Sequence, residues 1–314
     1  MTGRPGNQHE EVTLSLGQGS ARNRGRASGL AWLLRLAGVC LLVSIPVAGP
    51  PALFAEEVPY IQTPGNVVDA MLSLAKVGSE VYVVDLGSGD GRIVITAATR
   101  FGARGLGIDY DEALIAKSRA AAARAGVSDR VVFLRQDIFD ADFRAATVVT
   151  MYLLPEVNLQ LRPRLLFELR PGTRIVSHDW DMDEWAPDRQ LTVEAPEKTV
   201  GHKKESTIYL WIVPARIAGY WRGILAGPAG EEPVVIEFLQ RFQNTSASLW
   251  GRRWTLAGRG RLEGGALSLI VDRAPWMPDT QPLHFALKVV GGRLEGEAQD
   301  GLRRYTLRAT RFSD

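Results

Sequence analysis

Cysteine is almost missing from this sequence of 314 residues, in which Cys40 is the only one. The chain after Cys40 therefore has no internal disulfide, no cysteine-ligated metal and no cysteine nucleophile. Histidine is also scarce and is spread widely along the chain. The four histidines are His9, His178, His202 and His284. Because these spacings match no usual arrangement of metal ligands, the sequence predicts no metal site.

A strong charge of either sign is also lacking, because the formal net charge is only +2. Residues 1–55 contain five arginines, two glutamates and neither lysine nor aspartate, and so contribute +3. The remaining residues, 56–314, therefore sum to −1. Proteins that bind nucleic acid through its phosphates usually carry a basic surface, so we expect no nucleic-acid partner. The 46% of hydrophobic and 23% of charged residues are typical of a globular protein.

A long apolar run occurs once, at residues 30–55, where Arg35 is the one charged residue. Basic residues precede this run, as in signal peptides: Arg22, Arg24 and Arg26. Its core, residues 36–47, has the length of a signal-peptide core and is short for a membrane span. A cleaved signal peptide is favoured, with an uncleaved membrane anchor or a wrongly assigned start as alternatives. The arginines before the run and Glu56-Glu57 after it predict a periplasmic body, membrane-anchored if the segment is retained.

Strand-like and helix-like segments alternate between residues 56 and 214, which predicts an α/β fold with a mainly parallel sheet. Predicted strands are residues 81–86, 105–109, 131–134, 147–153 and 174–178, followed by an antiparallel hairpin of residues 190–200 and 206–213. Predicted helices are residues 64–74, 93–101 and 112–125. Thr63 is predicted to cap the first helix. Two short helices are predicted at residues 155–169, because Pro163 interrupts the pattern.

Residues 215–314 differ in composition, since they are rich in glycine, contain one lysine, Lys288, and alternate with a period of two. Predicted strands are residues 234–238, 247–250, 266–271, 284–290 and 304–308, with hairpin turns at Gly264-Gly265 and Gly291-Gly292. Five to seven short strands of this spacing predict an antiparallel β module, a small barrel or a sandwich, for binding or dimerisation. The predicted organisation is a leader (1–55), an α/β domain (56–214) and a β-rich accessory domain (215–314).

The clearest chemical signature is Asp85–Gly91, which reads Asp-Leu-Gly-Ser-Gly-Asp-Gly between the first predicted strand and the next helix. Its glycines, Gly87, Gly89 and Gly91, let the backbone turn tightly and approach a ligand where a Cβ would be in the way. The helix that follows offers free N–H groups and the positive end of its dipole. In a doubly wound sheet this turn lies where ligands bind, so we predict that Ser88 and the three glycines contact a cofactor.

Polar residues at the ends of the next two strands extend this prediction. Asp109 ends the second predicted strand, 18 residues after Gly91, where a carboxylate accepts the ribose hydroxyls of a nucleoside. Gln136 and Asp137 follow the third strand, where a side chain reaches an adenine amine. Each aspartate alone is equally well explained as the cap of the next helix or turn. Their combination with the glycine-rich turn favours contact with a nucleoside.

A dinucleotide is the competing class of ligand, and its fingerprint is Gly-x-Gly-x-x-Gly. Counted from Gly87 the third glycine would fall on Arg92, and counted from Gly89 it would fall on Val94. Neither register fits the fingerprint. Asp85, two residues before Gly87, is instead placed to bind the amino-acid end of a cofactor, directly or through water.

Asp85–Gly91, Asp109 and Asp137 resemble motifs I, II and III of the class I, Rossmann-like, S-adenosylmethionine-dependent methyltransferases. Two longer stretches, Val83–Val94 and Val58–Pro64, resemble the ATP synthase c-subunit lysine N-methyltransferase family and its bacterial relatives. The resemblance covers about half of the chain. It implies S-adenosylmethionine as cofactor and transfer of its methyl group to an amine, such as a protein lysine.

The resemblance also implies that Tyr60 and Thr63 help to close over the cofactor. A packed aromatic ring and a helix cap are the alternative interpretations of these two residues. For Thr63, the cap is favoured.

The acceptor side of the site is predicted at the ends of the fourth and fifth strands. Tyr152 and Trp180 would form aromatic walls around a cation, and His178 or Asp179 would accept a proton or orient the nucleophile. Alternatively, the aromatic residues belong to the core and His178-Asp179 only ends a strand. An Asn-Pro-Pro-Tyr pattern is absent after the fourth strand, which argues against adenine N6 or glutamine as the acceptor.

Two functions of different classes remain open. The first is a methyltransferase that acts on an amine. The second is an exported binding protein, in which the Rossmann-like domain has no catalytic role and the β module binds the ligand. The predicted export favours the second, because S-adenosylmethionine is made in the cytosol, whereas the intact glycine-rich motif favours the first.

Overall fold

The computed structural model describes residues 60–201, 203–272, 281–301 and 303–312. The predicted leader, residues 1–55, and the expectations that depend on it lie outside these residues. Residues Val58–Asp314 form one compact unit. Within the described ranges, no helix combines the length and the apolar character that crossing a bilayer requires.

A seven-stranded sheet with flanking helices forms the first part of this unit. Its elements are α1 (Gly65–Leu74), β1 (Tyr82–Leu86), α2 (Arg92–Phe101), β2 (Arg104–Asp109), α3 (Glu112–Arg124), β3 (Val131–Arg135), β4 (Val148–Met151), α4 (Pro155–Glu168), β5 (Arg174–His178), β6 (Arg189–Glu194) and β7 (Glu205–Ile212). The strand order is β3-β2-β1-β4-β5-β7-β6, and β7 runs antiparallel to both of its neighbours, whereas β1 to β5 are parallel. The predicted α/β fold is confirmed. The order reverses between β1 and β4, which places a ligand-binding crevice at the carboxyl ends of these strands.

Apolar side chains on both faces of β1 explain its place at the centre of the sheet. Val83 packs with α1 and α2, whereas Val84 and Leu86 pack with α4. The residues predicted on one side of α1 are all buried: Val67, Val68, Met71 and Leu72. A strand covered on both faces needs no polar alternation, which is why a run without alternation, in which Asp85 is the only charged residue, marked β1 in the sequence.

The predicted cap of α1 is wrong. Pro64 is the N-cap residue, and no side chain accepts a hydrogen bond from the first turn. Thr63 Oγ1 lies instead 3.2 Å from Nδ1 of His178, in a buried contact. An unpaired nitrogen on a buried histidine costs more free energy than a helix N–H exposed to water, which explains this pairing.

α4 is one continuous helix and not the predicted pair of short helices. Pro163 lies on its exposed side, whereas Leu161 and Leu165 are fully buried. Pro163 lacks the N–H that would bond the carbonyl of Leu159, and Leu159 is also exposed, so this carbonyl is on the side of the helix that water reaches. Burial of the two leucines therefore outweighs the loss of one bond.

A closed antiparallel barrel forms the second part of the unit. Its strands are β8 (Gly219–Gly227), β9 (Gly230–Arg241), β10 (Asn244–Trp250), β11 (Thr255–Glu263), β12 (Ala266–Val271), β13 (Leu283–Val290), β14 (Arg293–Asp300) and β15 (Arg303–Arg311). Consecutive strands pair, and β15 pairs with β8 to close the barrel. The predicted small barrel is confirmed, but it has eight strands and not five to seven. Side chains such as Trp221, Phe238 and Leu287 fill its interior.

The barrel contacts the sheet where β5 begins. Gln243 Nε2 donates to the carbonyl of Ala186 at 2.7 Å, and Arg261 forms an ion pair of 2.6 Å with Asp188. Asp188 also accepts a hydrogen bond from the N–H of Ile212, which pairs with the first residue of β5. These contacts therefore lie at the edge of the sheet opposite the carboxyl ends of the parallel strands. A division into separate domains at residue 214 stays a prediction.

Candidate active site

The glycine-rich turn after β1 has a left-handed backbone at each of its three glycines. The φ angle is 74° at Gly87, 54° at Gly89 and 78° at Gly91. A Cβ at Gly87 would lie 2.6 Å from Leu153, and a Cβ at Gly91 would lie 2.6 Å from Phe133. Conformation and close approach both exclude side chains, so the turn presents backbone to a ligand.

Hydrogen bonds to the end of β2 hold this turn. The N–H of Ser88 donates to Ile108 O at 2.9 Å, and the N–H of Gly89 donates to Asp109 Oδ2 at 2.7 Å. Asp109 Oδ1 accepts from the N–H of Asp111 at 2.9 Å. Because a carboxylate has about four acceptor positions, Asp109 keeps capacity for two more donors. It therefore closes the turn and also remains able to accept the hydroxyls of a ribose.

Asp85 lies beneath the turn with 2% of its surface exposed. Thr150 Oγ1, from β4, donates to Asp85 Oδ1 at 2.7 Å. Burial raises the pKa of Asp85 to about 8; the hydrogen bond from Thr150 opposes this rise, and the nearby Asp109 and Asp90 add to it. The cationic amino group of an amino acid would be well placed next to this carboxyl, because a positive charge favours its ionised form.

A buried hydroxyl in the turn has an unsatisfied hydrogen bond. Ser88 Oγ has no partner among the residues that the structure describes. An unpaired buried hydroxyl costs free energy, which a polar ligand atom at the turn would recover. With the glycine backbone and the free acceptor positions of Asp109, this arrangement fits a ligand with hydroxyl and amino groups. The residues therefore fit the nucleoside and amino-acid parts of S-adenosylmethionine.

Tyr60 and Thr63 belong to a segment that is tied to the turn through Asp90 and Arg92. The Tyr60 hydroxyl accepts from the N–H of Asp90 at 3.3 Å. Arg92 donates to both carboxylate oxygens of Asp90, at 2.9 and 2.8 Å, and to Thr63 O at 2.8 Å. Burial alone would raise the pKa of Asp90, but the Arg92 guanidinium outweighs it and holds this pKa below its usual value. Tyr60 thus lies at the turn, and its role in closing over the cofactor stays a prediction, whereas Asp90 and Arg92 were given no role from the sequence.

Gln136 and Asp137 lie beside Asp109 at the same edge of the sheet. The N–H of Gln136 donates to Asp109 O at 3.0 Å, and its side-chain Nε2 donates to Asp140 O at 3.2 Å. The exposed Asp137 accepts the N–H of Phe139 at 2.8 Å through Oδ1. Asp137 therefore caps a turn, and its role toward an adenine ring stays a prediction.

His178 is the buried centre of the predicted acceptor side. It is fully buried, with Nδ1 at 3.2 Å from Thr63 Oγ1 and Nε2 at 2.8 Å from Ser206 Oγ. Its ring lies 3.9 Å from the ring of Tyr152. Burial lowers the pKa of His178 to about 4, while Asp179 raises it and Lys198 lowers it further. A neutral ring with both nitrogens paired is suited to orienting Tyr152 more than to taking a proton from an acceptor.

Asp179 follows β5 in a left-handed conformation, with φ of 61°, which aspartate adopts more readily than most residues other than glycine. Its Oδ1 accepts from the N–H of Thr207 at 3.0 Å, and its Oδ2 lies 2.6 Å from Lys198 Nζ. Burial raises the pKa of Tyr152 to about 12, and the charge of Asp179 and a hydrogen bond to it add to the effect.

The two aromatic residues predicted as cation walls differ in placement. Tyr152 is half-buried and packs on His178, whereas Trp180 has 43% of its surface exposed. The N–H of Trp180 donates to His178 O at 2.8 Å, which fixes its backbone beside the site. Of the two, Tyr152 is in direct contact with the polar cluster around His178.

Besides Asp90 and Arg92, three more residues of this site were not anticipated from the sequence: Thr150, Lys198 and Ser206. Thr150 comes from β4, and the other two come from the β6–β7 hairpin. Each meets its partner only when strands far apart in sequence become neighbours in the sheet. No local pattern marks such a residue, although Lys198 stands in a lysine-rich turn with Lys203 and Lys204.

Comparison with known proteins identifies the family. The model of the ANTKMT methyltransferase domain matches residues 85–189. A protein-lysine N-methyltransferase of Saccharolobus islandicus (strain REY15A) is 40% identical over 161 residues, which are 51% of this chain and 96% of that protein. This chain belongs to the protein-lysine N-methyltransferase family. The predicted resemblance is thereby confirmed.

Two mammalian relatives are covered less completely, and one solved structure is covered almost entirely. The human ATP synthase c-subunit lysine N-methyltransferase is 31% identical over 161 residues, 50% of this chain and 67% of the relative. The mouse adenine nucleotide translocase lysine N-methyltransferase is 37% identical over 132 residues, and the chain spans 57% of its length. A solved structure of an RNA methyltransferase from Salinibacter ruber, in complex with S-adenosyl-L-homocysteine, is 51% identical, with coverage of 50% and 96% and a TM-score of 0.46.

As a member of this family, this chain is an S-adenosylmethionine-dependent N-methyltransferase. This confirms the predicted cofactor and enzyme class, and it decides against a binding protein with a non-catalytic Rossmann-like domain. The match to the family model ends at Arg189, before the barrel begins.

Proposed function

We propose that this protein transfers a methyl group from S-adenosylmethionine to the ε-amine of a lysine in a protein acceptor. The observation that supports this most strongly is the meeting of two groups of residues at one edge of the sheet. The glycine-rich turn with Asp109 lies at the ends of β1 and β2, and the pair Tyr152 and Asp179 follows β4 and β5. The names of the relatives point to the same class of acceptor.

The cofactor would supply a methyl group activated by a sulfonium charge. In the proposed arrangement Asp85 holds its amino-acid end, Asp109 accepts from its ribose, and Gln136 or Asp137 contacts its adenine. Tyr60 covers the turn from the other side. These roles are consistent with the burial of Asp85 and the free acceptor positions of Asp109.

The acceptor lysine must present a lone pair along the line of the bond that breaks, so the chain has to position and deprotonate it. Tyr152 offers a ring face and a hydroxyl, and Asp179 offers a carboxylate that hydrogen-bonds this hydroxyl. The ring of His178 packs against the ring of Tyr152. In the proposed mechanism Tyr152 and Asp179 orient the amine, and His178 keeps Tyr152 in place.

Cofactor binding is tested by calorimetric titration of the full chain with S-adenosyl-L-homocysteine. We expect Asp109→Ala to weaken binding at least tenfold, about 1.4 kcal/mol, because the carboxylate holds both the turn and the ribose. Asp129→Ala, at an exposed aspartate outside the site, is the matched control. Equal affinity of the two variants would contradict the role of Asp109.

The acceptor is tested by incubating the full chain with radiolabelled S-adenosylmethionine and a cell extract. We expect label in protein, recovered as methyl-lysine after acid hydrolysis, and none in nucleic acid. A nuclease-treated extract and a protease-treated extract separate the two acceptors. Label that disappears with nuclease treatment would refute the lysine proposal in favour of an RNA acceptor, the class named for the Salinibacter ruber structure.

We also propose, from the sequence alone, that residues 1–55 bring the chain to the membrane as a signal peptide or an anchor. The basic residues and the apolar core of this segment support the proposal. Expression of the full chain with a C-terminal alkaline phosphatase, which is active only after export, tests the periplasmic location. The mass of the mature protein and its extraction by alkaline carbonate distinguish cleavage from anchoring. An inactive phosphatase on a soluble chain of full mass would contradict both the signal peptide and the anchor.

A further inference from the structure

Lys198 is held at the acceptor side of the site in an unusual way for a lysine. It lies in the connection between β6 and β7, with 13% of its side chain exposed. Its Nζ lies 2.6 Å from Asp179 Oδ2 and donates to Glu205 O at 2.7 Å. Surface lysines normally extend their charged end into water. The ammonium of Lys198 is instead fixed beside the carboxylate that is proposed to orient the acceptor.

The backbone around Lys198 keeps this arrangement in place. The N–H of Lys198 donates to Ala195 O at 3.0 Å, and the N–H of Ala195 donates to Lys204 O at 2.7 Å. Lys204 Nζ in turn donates to Lys198 O at 2.6 Å. The turn is therefore bonded on both sides of Lys198, so its side chain projects from a defined backbone.

The charged and titratable groups around the pair of Lys198 and Asp179 lie in or next to three strands. Tyr152 follows β4, His178 and Asp179 end and follow β5, Lys204 precedes β7, and Tyr209 lies within β7. Asp179 is the carboxylate that faces Lys198, and His178 Nε2 lies 3.4 Å from the same oxygen, Oδ2. Burial and then the charge of Lys198 lower the pKa of His178. The positive charge of Lys198 therefore acts on His178 as well as on Asp179.

Without a cationic partner, the Asp179 carboxylate would stabilise the acceptor lysine as an ammonium, which cannot accept a methyl group. A lysine amine has an ordinary pKa of about 10.4, so it is an ammonium without a lone pair at neutral pH. A nearby negative charge raises that pKa, whereas a nearby positive charge lowers it. An ion pair of Asp179 with Lys198 leaves oxygen atoms for hydrogen bonding but little net charge to stabilise an ammonium.

We propose that Lys198 is a positioning residue that neutralises Asp179, so that the acceptor lysine is held as its neutral, nucleophilic amine. The inference rests on the proposed function. The acceptor ammonium first releases one proton to water. Its nitrogen lone pair then forms the bond to the methyl carbon, the carbon–sulfur bond breaks, and the electron pair of that bond stays on sulfur. The positive charge passes from sulfur to the methylated nitrogen.

The pH dependence of kcat tests this role, because kcat reports groups that ionise in the bound complex. We expect kcat of the wild type to rise with pH along an acidic limb. In Lys198→Met this limb should move upward by about one pH unit, so that kcat falls about tenfold at pH 7 and recovers at high pH. Lys198→Arg keeps the charge and should keep the wild-type profile. Lys203→Met, at an exposed lysine of the same turn, is the matched control.

Two further measurements separate the alternatives. Nuclear magnetic resonance titration of the histidines reads the charge of Lys198 without any turnover, and Lys198→Met should raise the pKa of His178. Peptide mass spectrometry after incubation with S-adenosylmethionine shows whether Lys198 itself gains a methyl group, and we expect that it does not.

Three results would overturn the proposal. A fall in kcat by one factor at every pH, with an unchanged His178 titration, would make Lys198 a structural ion-pair partner. A lower KM and faster turnover in Lys198→Met at every pH would make Lys198 an internal competitor of the acceptor. A methyl group on Lys198 would make it an acceptor. Failure of the wild type to methylate any protein would refute the proposed function instead, and the His178 titration would then still decide what the charge of Lys198 does.

Discussion

A single buried carboxyl, that of Asp85, links the stability of the fold to pH. Its pKa of about 8 in the folded chain compares with an ordinary value of 3.8. A group whose pKa is higher in the folded state contributes most stability below its unfolded pKa. That contribution is lost as pH rises toward the folded value. The contribution of Asp85 to the free energy of unfolding should therefore decline between about pH 4 and pH 8.

Asp85→Asn should remove this decline. Asparagine has the same shape, has no charge to bury and still accepts the hydrogen bond from Thr150. We expect the variant to gain stability relative to the wild type as pH rises from 5 to 8. Urea denaturation at the two pH values measures this difference. Asp129→Asn, at an exposed position, should follow the wild type, and a parallel decline in Asp85→Asn would contradict the assignment.

At the same scale, the candidate residues of the cofactor side stand close together in the sequence, whereas the contacts of the acceptor side do not. Asp85, the glycines and Asp109 form a local motif with fixed spacing, so chemistry and position could be read together. Thr63 was predicted as a helix cap, but its hydroxyl is paired with His178, 115 residues away in the sequence. Lys198 likewise meets Asp179 only through pairing of β5 with β7. Partners created by sheet pairing have no local signal.

Among the helices, α4 allows a prediction about Pro163. The helix tolerates this proline because Pro163 and Leu159, whose carbonyl lacks its helical partner, both lie on the exposed side. Pro163→Ala would restore the missing N–H and the intrinsic helix preference, so we expect a gain in stability of about 1 to 3 kcal/mol. Thermal and urea denaturation measure the change. Pro155→Ala, at the first turn where proline is favourable, is the comparison and should bring no gain.

The turn after β1 allows a second prediction at the scale of elements. Gly91 and Gly126 both have left-handed backbones, with φ of 78° and 68°. A Cβ at Gly126 would meet no atom within 4 Å, whereas one at Gly91 would also press on Ser118 at 2.8 Å. Gly126→Ala should therefore destabilise the fold only through the left-handed backbone, by about 1–2 kcal/mol. Gly91→Ala should lower stability further and also weaken S-adenosyl-L-homocysteine binding. Urea denaturation that shows equal losses of stability in the two variants would mean that the close packing at Gly91 is unimportant.

How well the strands were predicted depended on their pattern of side chains. β1 contains the buried apolar pair Val83 and Val84 beside Val81 and Tyr82, a run that stands out in the sequence. β8, β11 and β14 were missed, and each has glycine within the strand, at Gly223, Gly258 and Gly296 respectively. A Cβ at each of these glycines would lie within 3 Å of a carbonyl oxygen of the neighbouring strand. Glycine there allows close strand packing, and the same glycine weakens the sequence signal.

At the scale of the whole molecule, an aromatic contact joins the barrel to the sheet. The ring of Phe242, between β9 and β10, stacks on Trp185 at 5.9 Å and packs against the core beneath α4. Phe242 has a left-handed φ of 53°, so packing maintains a strained backbone. The barrel is therefore docked through an aromatic side chain that completes the core of its neighbour.

We expect Phe242→Ala to destabilise the chain by roughly 2 kcal/mol, less than a fully buried phenylalanine would, and to separate its unfolding into two steps. In the wild type, tryptophan fluorescence and retention of S-adenosyl-L-homocysteine should be lost together in urea. In the variant, the two transitions should come apart. Leu239→Ala, at an exposed residue of β9, should leave one transition, and a single transition in Phe242→Ala would show that the contact does not couple the two parts.

Closure of the barrel also determines how other chains could join this one. A strand with an unpaired edge is a template on which a second chain can extend the sheet, and each strand of the barrel has both edges paired. Among the described strands, β3 and β6 alone keep a free edge, and they are only five and six residues long. A partner that binds by strand addition therefore has two short sites, both on the methyltransferase sheet. A partner of the barrel must recognise its side chains or turns.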